Sequence, residues 1–203
     1  MTYSFKWTMV ILFCLFTWPL SLPARIAYRY FRSEIYFDFS AKLLSLVPGK
    51  FGQYLRTSFY VVTLDRCHAD LAVAFGSFFS HPTAKVGRCV VVGSYSIIGT
   101  AVLGDGVLIA SHVSILSGKH QHGSALKGVA FSGEVYYETV TIGAGSWIGE
   151  GAIIMASVGR QCIVGAGSVV AKPVPDLSTA VGNPARFYLS NQPTGADVIT
   201  APV

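Results

Sequence analysis

The stretch VGRCVVVGSYSIIGTAVLGDGVLIASHVS, residues 86–114, divides into five consecutive units of five or six residues. Each unit begins with an aliphatic residue, continues with Gly or Ala, and carries a small or branched residue four positions after the aliphatic. The pattern resumes in IGAGSWIGEGAI (142–153) and in VGRQCIVGAGSV (158–169). Tandem matches of this number indicate an internal repeat, even in a chain with 21 glycines, and a repeat of this kind decides the whole fold.

A period of six matches neither the 3.6-residue period of a helix nor the two-residue alternation of a strand. It is typical of a coil with flat faces, in which each hexad forms one short strand and then turns a corner, so that three hexads complete a coil. The aliphatic residue points inward and stacks on its equivalents, and the small residues let the corner close. The sequence therefore predicts an all-β fold, a parallel β-helix.

Two irregularities interrupt the period. The hexad at Ile98 is one residue short, and only a short spacer separates Ile154 from Val158. We expect distorted corners at both places.

Between Ser117 and Thr139 the hexads stop, and the insertion GKHQHGSALKGVAFSGEVYYE (118–138) intervenes before they resume. An insertion that leaves a repeat intact is a loop projecting from one face, and long loops of this kind are functional or disordered. This loop carries His120 and His122, whose imidazoles have a pKa near neutrality and suit proton transfer.

The hexads, this loop and the segments VGAGSVVAKPVP (164–175) and VGNPAR (181–186) resemble the hexapeptide-repeat acyltransferases. The resemblance covers residues 73–190 and is greatest to the O-acetyltransferases of polysaccharide and exopolysaccharide gene sets. It implies a left-handed parallel β-helix, although parallel crossovers are normally right-handed. It also implies direct transfer of an acetyl group from acetyl-coenzyme A to a hydroxyl, without a covalent enzyme intermediate.

In the resembling family a histidine of this loop is the general base that deprotonates the acceptor hydroxyl. The family spacing from Ile115 matches His120 better, while His122 is the alternative base or a substrate ligand. The remaining alternative is that both are ordinary solvated residues. Glu134 and Glu138 on the return limb either orient the imidazole, bind a sugar hydroxyl or are solvated charges.

The resemblance places coenzyme A along the C-terminal hexads. Small residues there allow backbone groups to approach the pantetheine arm, and Lys172 and Arg186 are candidates for its phosphates. Trp147 either lies beside the cleft or packs on the exterior. The predicted coenzyme-binding residues are Trp147, Ala166, Gly167, Ser168, Lys172, Asn183, Pro184 and Arg186.

The remaining cysteines and histidines give no sign of a metal site or a disulfide framework. The four cysteines are widely separated, form no CxxC pair and have no histidine at metal-ligand spacing. We expect them to be reduced and buried. His112 lies inside a hexad and is interpreted as a corner residue, with a role in lining the cleft as the alternative. His68 and His81 precede the regular repeat and are interpreted as structural.

Charge is concentrated in the first third of the chain. Apolar residues make up 52% of the sequence and charged residues 12%. Residues 1–66 contain eight Lys and Arg against three acids, which accounts for the entire net charge of +5. This distribution favours an anionic membrane surface over nucleic acid, for which basic residues on the folded body would be expected.

The uncharged run WTMVILFCLFTWPLSL (7–22) is 16 residues long, shorter than the roughly 20 residues that span a bilayer as a helix. Three interpretations stay open: a secretory signal peptide with a poor cleavage site, a tilted single span, and a re-entrant helix that breaks at Pro19 and Pro23. Residues 40–62 form either an amphipathic surface helix or a cap on the body, and Pro48 and Gly49 predict two short helices there.

The sequence thus predicts a membrane-associated helical segment at 1–66, a β-helix acyltransferase domain at 67–190 with a loop at 117–139, and a tail at 191–203. The expected acceptor is a hydroxyl of a sugar or lipid-linked saccharide, the expected assembly is a homotrimer, and the expected location is the cytoplasmic face of the inner membrane. A small soluble acceptor or an amino sugar is the alternative within enzymes. A non-catalytic β-helix scaffold is the alternative of another class.

Overall fold

The computed structural model describes residues 3–117 and 137–189, with side chains from residue 6 onward. Within this part, three helices precede fifteen short strands. The helices are α1 (Tyr3–Phe31), α2 (Ile35–Ser45) and α3 (Gly49–Thr63). The strands are β1 (Ala72–Val73), β2 (Phe78–Phe79), β3 (Lys85–Val86), β4 (Val91–Val92), β5 (Ile97–Ile98), β6 (Ala101–Leu103), β7 (Leu108–Ile109), β8 (Ser114–Ile115), β9 (Val140–Ile142), β10 (Trp147–Ile148), β11 (Ile153–Ile154), β12 (Ile163–Val164), β13 (Val169–Val170), β14 (Ser178–Gly182) and β15 (Ala185–Leu189).

The strands form three parallel sheets, which are the three flat faces of a β-helix. The first face has the order β1-β4-β7-β10-β12-β14, with β15 added antiparallel at its end. The second face is β2-β5-β8-β11-β13, and the third is β3-β6-β9, extended by isolated bridges at Val158 and Val174. Successive strands in sequence therefore lie on successive faces, which confirms the predicted three-hexad coil.

The core of the β-helix is a set of stacked aliphatic side chains. In two-residue strands such as β5, β7 and β11, the first side chain is exposed and the second is buried. The buried members are the aliphatic residues that open the hexads, as predicted. On the first face they are Val73, Val92, Ile109, Ile148, Val164 and Ala180; on the second, Phe79, Ile98, Ile115, Ile154 and Val170; on the third, Val86, Leu103, Ile142, Val158 and Val174.

Serine hydroxyls fasten one corner to the next coil. Ser96 is fully buried, and its hydroxyl donates to the carbonyl of Ala110 at 3.0 Å and accepts the N–H of Val113 at 3.1 Å. Ser146 repeats the arrangement with the carbonyl of Gly159 and the N–H of Cys162. A small hydroxyl is accommodated here because it satisfies backbone groups that would otherwise be buried without a partner.

The two irregular hexads keep the ladder intact. Val92 pairs with Ile109 and Ile148 pairs with Val164 in parallel register, although each intervening coil is shorter than three full hexads. Beyond Ile154 the third face is reduced to single-residue bridges at Val158 and Val174. The corners and some strands are thus shorter in these coils, while the inward aliphatic side chains still stack in register.

Helix α3 closes the first coil. Phe59 and Tyr60 are fully buried, and the Tyr60 ring lies 4.9 Å from that of Phe79. Thr57 donates to the carbonyl of Leu71 at 2.9 Å. Helices α2 and α3 meet at Pro48, as the sequence predicted, and the inner face of α3 is a cap on the body.

Arg56 is a buried cation that holds this cap in place. Its side chain is 1% exposed and donates to the carbonyls of Val73, Leu44 and Val47 at 3.0, 2.9 and 2.7 Å. Burial lowers the pKa of Arg56, but carbonyl acceptors from α2, from the turn before α3 and from β1 compensate the desolvation of its charge.

Helix α1 is continuous through Pro19 and Pro23, so the predicted break at these prolines is wrong. Contacts with α3 hold the helix on both sides of the prolines. The Ser58 hydroxyl donates to the carbonyl of Val10 at 3.0 Å, and the Arg25 guanidinium donates to the carbonyl of Val62. Because packing fixes both halves, the loss of hydrogen bonds at the prolines does not divide the helix.

Adjacent residues in β11 test the alternation directly. Ile154 is fully buried and Ile153 is 38% exposed. We expect Ile154→Ala to lower the free energy of unfolding by about 2–5 kcal/mol, because it leaves a cavity in the ladder. Ile153→Ala removes the same atoms from the outer surface and serves as the matched control. Chemical denaturation of both variants measures the difference, and equal losses would contradict the assigned register.

Candidate active site

The insertion leaves and rejoins the β-helix at one corner, between the second and third faces. His120, His122 and Glu134 lie outside the described residues, which end at Ser117 and resume at Tyr137. The N–H of Glu138 donates to the carbonyl of Ser117 at 3.0 Å, so the two ends of the insertion are hydrogen-bonded to each other. Glu138 is exposed at this point.

A shallow groove of about 200 Å³ adjoins the ends of the insertion. It runs along the same corner from Glu138 toward the C-terminal coils. Its floor comes from short segments of successive coils, namely Thr139–Val140, Met155–Ser157, Ala171 and Pro173. Of the predicted catalytic residues, Glu138 therefore lines a described groove.

A contact that sequence reasoning did not anticipate links this corner to the helices. The ring of Tyr137 lies 4.4 Å from the ring of His81, and Nδ1 of His81 lies 2.7 Å from a carboxylate oxygen of Glu34. Glu34 is the residue immediately before α2. His81 thus has a structural role, as predicted, and it joins the α1–α2 connection to the point where the insertion returns.

The predicted coenzyme-binding residues lie in more than one place. Ala166, Gly167 and Ser168 form the corner between β12 and β13, and the Ser168 hydroxyl accepts the N–H of Gly182 at 3.1 Å. This bond brings the corner next to the turn of the β14–β15 hairpin, which contains Asn183 and Pro184.

Gly167 is the residue of this corner with a left-handed backbone. Its φ is +67°, which side chains rarely adopt, and the space where a Cβ would point is open. An exposed backbone with free space beside it is what close approach of a pantetheine arm needs. The small residues present at this corner therefore fit the predicted role.

Lys172, Arg186 and Trp147 are separate from that corner. Lys172 lies at the next corner, between β13 and Val174, beside the groove of the insertion. Arg186 pairs with Val181 in the terminal hairpin. Within the described ranges neither of these two cations makes an ion pair, so both charges are available to an anion.

Trp147 belongs to an apolar row on the outside of the first face. Its strand register places it between Leu108 and Ile163, and Leu108 in turn pairs with Val91. These four side chains are each 42–52% exposed. Trp147 thus lies on the outer surface of the chain, and both predicted roles, packing on the exterior and lying beside a cleft, stay predictions.

His112 is a corner residue with a left-handed backbone, as predicted, with φ +58°. Its ring stacks on that of Tyr95 at 5.3 Å, and its Nδ1 lies 3.6 Å from the carboxylate of Glu150. These exposed contacts lie at the corner between the first and second faces, away from the insertion.

All four cysteines are free, but the expectation that they are buried is wrong for three of them. Cys162 is buried, Cys14 and Cys67 are half-buried, and Cys89 is exposed at a corner. The Cys89 sulfur lies 3.4 Å from a carboxylate oxygen of Asp70, and this hydrogen bond raises the pKa of the thiol. A raised pKa disfavours the nucleophilic thiolate. In the described part of the chain, no three His, Cys, Asp or Glu side chains cluster as metal ligands do.

Comparisons with known proteins bear on the repeat region. No family model matches the chain. It is 37% identical over 90 residues to a galactoside O-acetyltransferase of Escherichia coli, covering 43% of this chain and 42% of the relative. It is 39% identical over 109 residues to the serine acetyltransferase of E. coli, covering 53% and 36%. The chain thus spans less than half the length of the curated relatives it matches.

Solved structures share the fold over a longer stretch. A maltose O-acetyltransferase from Clostridium difficile superposes with a TM-score of 0.63 at 24% identity, over 75% of this chain and 83% of that one. A galactoside acetyltransferase solved with coenzyme A superposes with a TM-score of 0.56 at 25% identity, over 74% and 78%.

The repeat that predicted the coil is therefore shared with these proteins in both sequence and three-dimensional structure. By both measures, the repeat region of this chain is similar to hexapeptide-repeat acetyltransferases, and it has their fold, a left-handed parallel β-helix.

Proposed function

We propose that this protein transfers an acetyl group from acetyl-coenzyme A to a hydroxyl of a sugar or of a lipid-linked saccharide. The observation that carries the proposal is the match of the repeat region to galactoside and maltose O-acetyltransferases in sequence and fold. The insertion supports it, because it interrupts the repeat at a corner that also holds a groove and the cation of Lys172. The likeness to serine acetyltransferase keeps a small soluble acceptor as the alternative.

His120 or His122 is the proposed general base. Either imidazole would take the proton of the acceptor hydroxyl as its oxygen attacks the thioester carbonyl, and would then return the proton to the departing thiolate of coenzyme A. Glu138, which lines the groove, is proposed to orient an imidazole or to bind a sugar hydroxyl, and Glu134 is proposed for the same role. No thiol of the chain is needed, which agrees with the raised pKa of Cys89.

The donor is proposed to lie along the C-terminal coils. The corner of Ala166, Gly167 and Ser168 and the adjoining turn of Asn183 and Pro184 offer exposed backbone to the pantetheine arm. Lys172 and Arg186, which have no carboxylate partner within residues 3–117 and 137–189, are proposed to meet the phosphates.

The first test measures release of coenzyme A from acetyl-coenzyme A by the purified protein in detergent, with a panel of sugars and lipid-linked saccharides. We expect acceptor-dependent release, and we expect His120→Ala to slow it by about 10²- to 10⁴-fold because the general base is lost. His122→Ala identifies the second candidate, and His112→Ala is the control for removing a histidine outside the insertion.

Unchanged rates in both His120→Ala and His122→Ala would overturn the base assignment. If no acceptor gives release of coenzyme A and the protein does not bind coenzyme A, the proposed acetyltransferase function is wrong and the non-catalytic scaffold is favoured.

A homotrimer is proposed for the assembled enzyme, with a cleft between subunits. Its support is the row of Val91, Leu108, Trp147 and Ile163, which leaves a continuous apolar surface on the outside of the first face. A second copy of the chain is a suitable partner for such a surface, because exposed apolar rows of this kind are otherwise uncommon on soluble bodies.

We expect the mass of the protein in detergent, corrected for bound detergent, to equal three chains. Leu108→Glu should reduce that mass, because the substitution places a charge in the middle of the apolar row. Thr141→Glu introduces the same charge at an outward position of the third face and should leave the mass unchanged. A wild-type protein that is a monomer at micromolar concentration would contradict the trimer.

Residues 1–66 are proposed to bind the cytoplasmic face of the inner membrane, where acetyl-coenzyme A is available. Within α1, residues Lys6–Phe31 are long and apolar enough to cross a membrane. Large apolar side chains are exposed on the outer faces of α1 and α2. They include Ile11, Leu15, Phe16, Trp18, Ile26, Ile35, Phe39 and Leu43.

The packing of α1 favours a position along the membrane surface and not across the bilayer. Val10, Thr17, Ser21, Ala24 and Ala27 form a buried stripe of mostly small residues on one side of the helix. That stripe faces the rest of the cap, since α1 bonds to α3 through the Val10 and Val62 carbonyls. The cap in turn is fixed to the first coil by Arg56.

If α1 crossed the bilayer with these contacts intact, α3 and the first coil would enter hydrocarbon with it. The helix is therefore proposed to lie in the interface, with its exposed face in one leaflet.

Depth measurements separate the two orientations. Single tryptophans at residues 11, 18 and 26, each in a background without the other native tryptophans among Trp7, Trp18 and Trp147, are read by quenching in anionic vesicles with lipids brominated at different depths. We expect one shallow depth for all three, about 5–10 Å below the headgroup boundary. A spanning helix would change depth by about 22 Å between residues 11 and 26, at 1.5 Å per residue.

A variant with Trp147 alone is the control, and its fluorescence should not be quenched because it reports the β-helix. No quenching at any of the three helical positions would contradict membrane binding itself.

A further inference from the structure

A cleft of about 700 Å³ lies between the C-terminal half of α1 and the segment that leads from α3 into the β-helix. We call it the arginine cleft. Three of the residues that line it are Arg25, Arg29 and Arg32, and Asp65 is the only acid among them. The cleft is separate from the groove at the insertion and from the proposed coenzyme-binding corner.

The three guanidinium groups have no carboxylate partner in the ranges that the structure describes. Arg25 donates to the Val62 carbonyl, and Arg32 lies 5.9 Å from the centre of the Tyr28 ring. Arg32 occupies a left-handed position just after α1, with φ +52°, where glycine is usual. The cleft therefore concentrates positive charge that the protein itself does not neutralise.

The walls of the arginine cleft are apolar and continue onto the outer surface of α1. Leu22, Ile26 and Tyr30 line the cleft and are 38–76% exposed. Leu15 and Trp18 lie on the same helix toward its N-terminus and are also exposed. A ligand that satisfies both features carries an anion that fits the arginines and an apolar tail that follows α1 into the membrane.

The cleft adjoins the corner at which the described chain stops at Ser117 and resumes at Tyr137. The N–H of Asp65, on one wall, donates to the carbonyl of Pro82 at 2.9 Å. Two residues after Arg32, on the other wall, Glu34 contacts His81, whose ring lies against Tyr137. Both walls are thus held to His81 and Pro82, next to the residue where the described chain resumes after the insertion.

We propose that the arginine cleft binds the phosphate or pyrophosphate of a lipid, with guanidinium groups on the phosphate oxygens and the lipid chain along α1. Guanidinium is the side chain best suited to such oxygens, because its donors match them in pairs. The chemistry is shared by a phospholipid headgroup and by a lipid-linked saccharide. In the second case, and only if the proposed acetyl transfer is correct, the cleft positions the acceptor saccharide toward the insertion.

The binding test uses no acetyl-coenzyme A. A short-chain prenyl pyrophosphate is titrated into the purified full-length protein in detergent and followed by calorimetry, with nanodiscs of phosphatidylglycerol as the second probe and inorganic pyrophosphate as the third. We expect the double variant Arg29→Gln, Arg32→Gln to weaken prenyl pyrophosphate binding by about tenfold or more, since charge-assisted hydrogen bonds are lost. The double variant Lys6→Gln, Lys50→Gln removes the same net charge outside the cleft and should change binding by less than about twofold.

The outcomes decide between the possible sources of the phosphate. Selective loss of phosphatidylglycerol binding in the arginine variant supports the site and assigns it to a headgroup, and selective loss of prenyl pyrophosphate binding assigns it to a lipid-linked substrate. Equal losses of lipid binding in both double variants, or no loss in either, would show that the arginine cleft is not a specific site and that any binding depends on general surface charge. If inorganic pyrophosphate binds as tightly as the prenyl pyrophosphate, the lipid chain does not contribute to binding and the proposal of a lipid ligand is wrong.

A purely structural role of the arginines at the end of α1 predicts a different result. Basic residues at a helix C-terminus stabilise the helix, so that role alone would lower the melting temperature of the double arginine variant without a selective loss of lipid binding. In acetyl-transfer assays, we expect the variant to raise the KM for a lipid-linked acceptor and to leave the KM for a soluble sugar unchanged. Lipid binding without acetyl transfer would overturn the proposed function alone, and acetyl transfer without selective lipid binding would overturn this inference alone.

Discussion

The stacking of inward aliphatic side chains along the three faces is the constraint on which the rest of the structure depends. Each coil buries one residue per face, and that residue contacts its equivalents in the coils on either side, as Ile109 lies between Val92 and Ile148. No coil has a core of its own, so stability is shared between neighbours.

This explains why shortened hexads are tolerated at Ile98 and after Ile154. A corner can be shorter without disturbing the stack, whereas each coil has to supply its inward residues. It also explains why a long insertion can leave from one corner, since the register on both sides of it is set by pairing between β6 and β9 and between β7 and β10.

A ladder of this kind ends in an apolar surface, and the two ends of the β-helix differ in how this surface is covered. At the C-terminal end, β15 pairs antiparallel with β14, and its Phe187, Tyr188 and Leu189 are exposed. At the N-terminal end, Phe59 and Tyr60 cover the first coil, and Arg56 ties the covering helix to the Val73 carbonyl. A cap built from helices also needs its own outer face covered, and α1 and α2 leave theirs strongly apolar. The terminal cap that the β-helix requires is therefore also the surface proposed to meet the membrane, and the two roles constrain each other through α3.

The sequence predicted the fold well because the hexad is itself the structural unit: position within the hexad determines which side chains point inward, and the chain has few exceptions. It predicted the helices less well. Pro19 and Pro23 are helix breakers in isolation, but contacts with Ser58 and Val62 fix α1 on both sides, and such contacts between distant segments cannot be read from local sequence. Cys89 was expected in the core and lies at a corner, since the residue at this position of the hexad turns outward.

The candidate site was predicted only in part. The repeat places Gly167, Ser168 and Lys172 at corners, but the contact of Ser168 with Gly182 and the Glu34–His81–Tyr137 link depend on coils and helices that are remote in sequence.

The corner between the second and third faces gathers features that arise from separate parts of the chain. It carries both ends of the insertion, the groove lined by Glu138, the cation of Lys172 and, two coils nearer the cap, His81. A parallel β-helix makes such alignment unavoidable, because equivalent positions in successive coils stack in columns along the axis. A substrate held at the cap would therefore lie in line with the insertion, whereas the proposed donor corner of Ala166, Gly167 and Ser168 belongs to a different column, between the first and second faces. In the proposed orientation, the distance between a membrane at the cap and the insertion would be set by the number of coils between them, and the proposed lipid-linked acceptor would have to span that distance. Because the insertion follows β8 and the cap covers β1, only a few coils intervene, so the proposed acceptor would be a short saccharide close to its lipid phosphate.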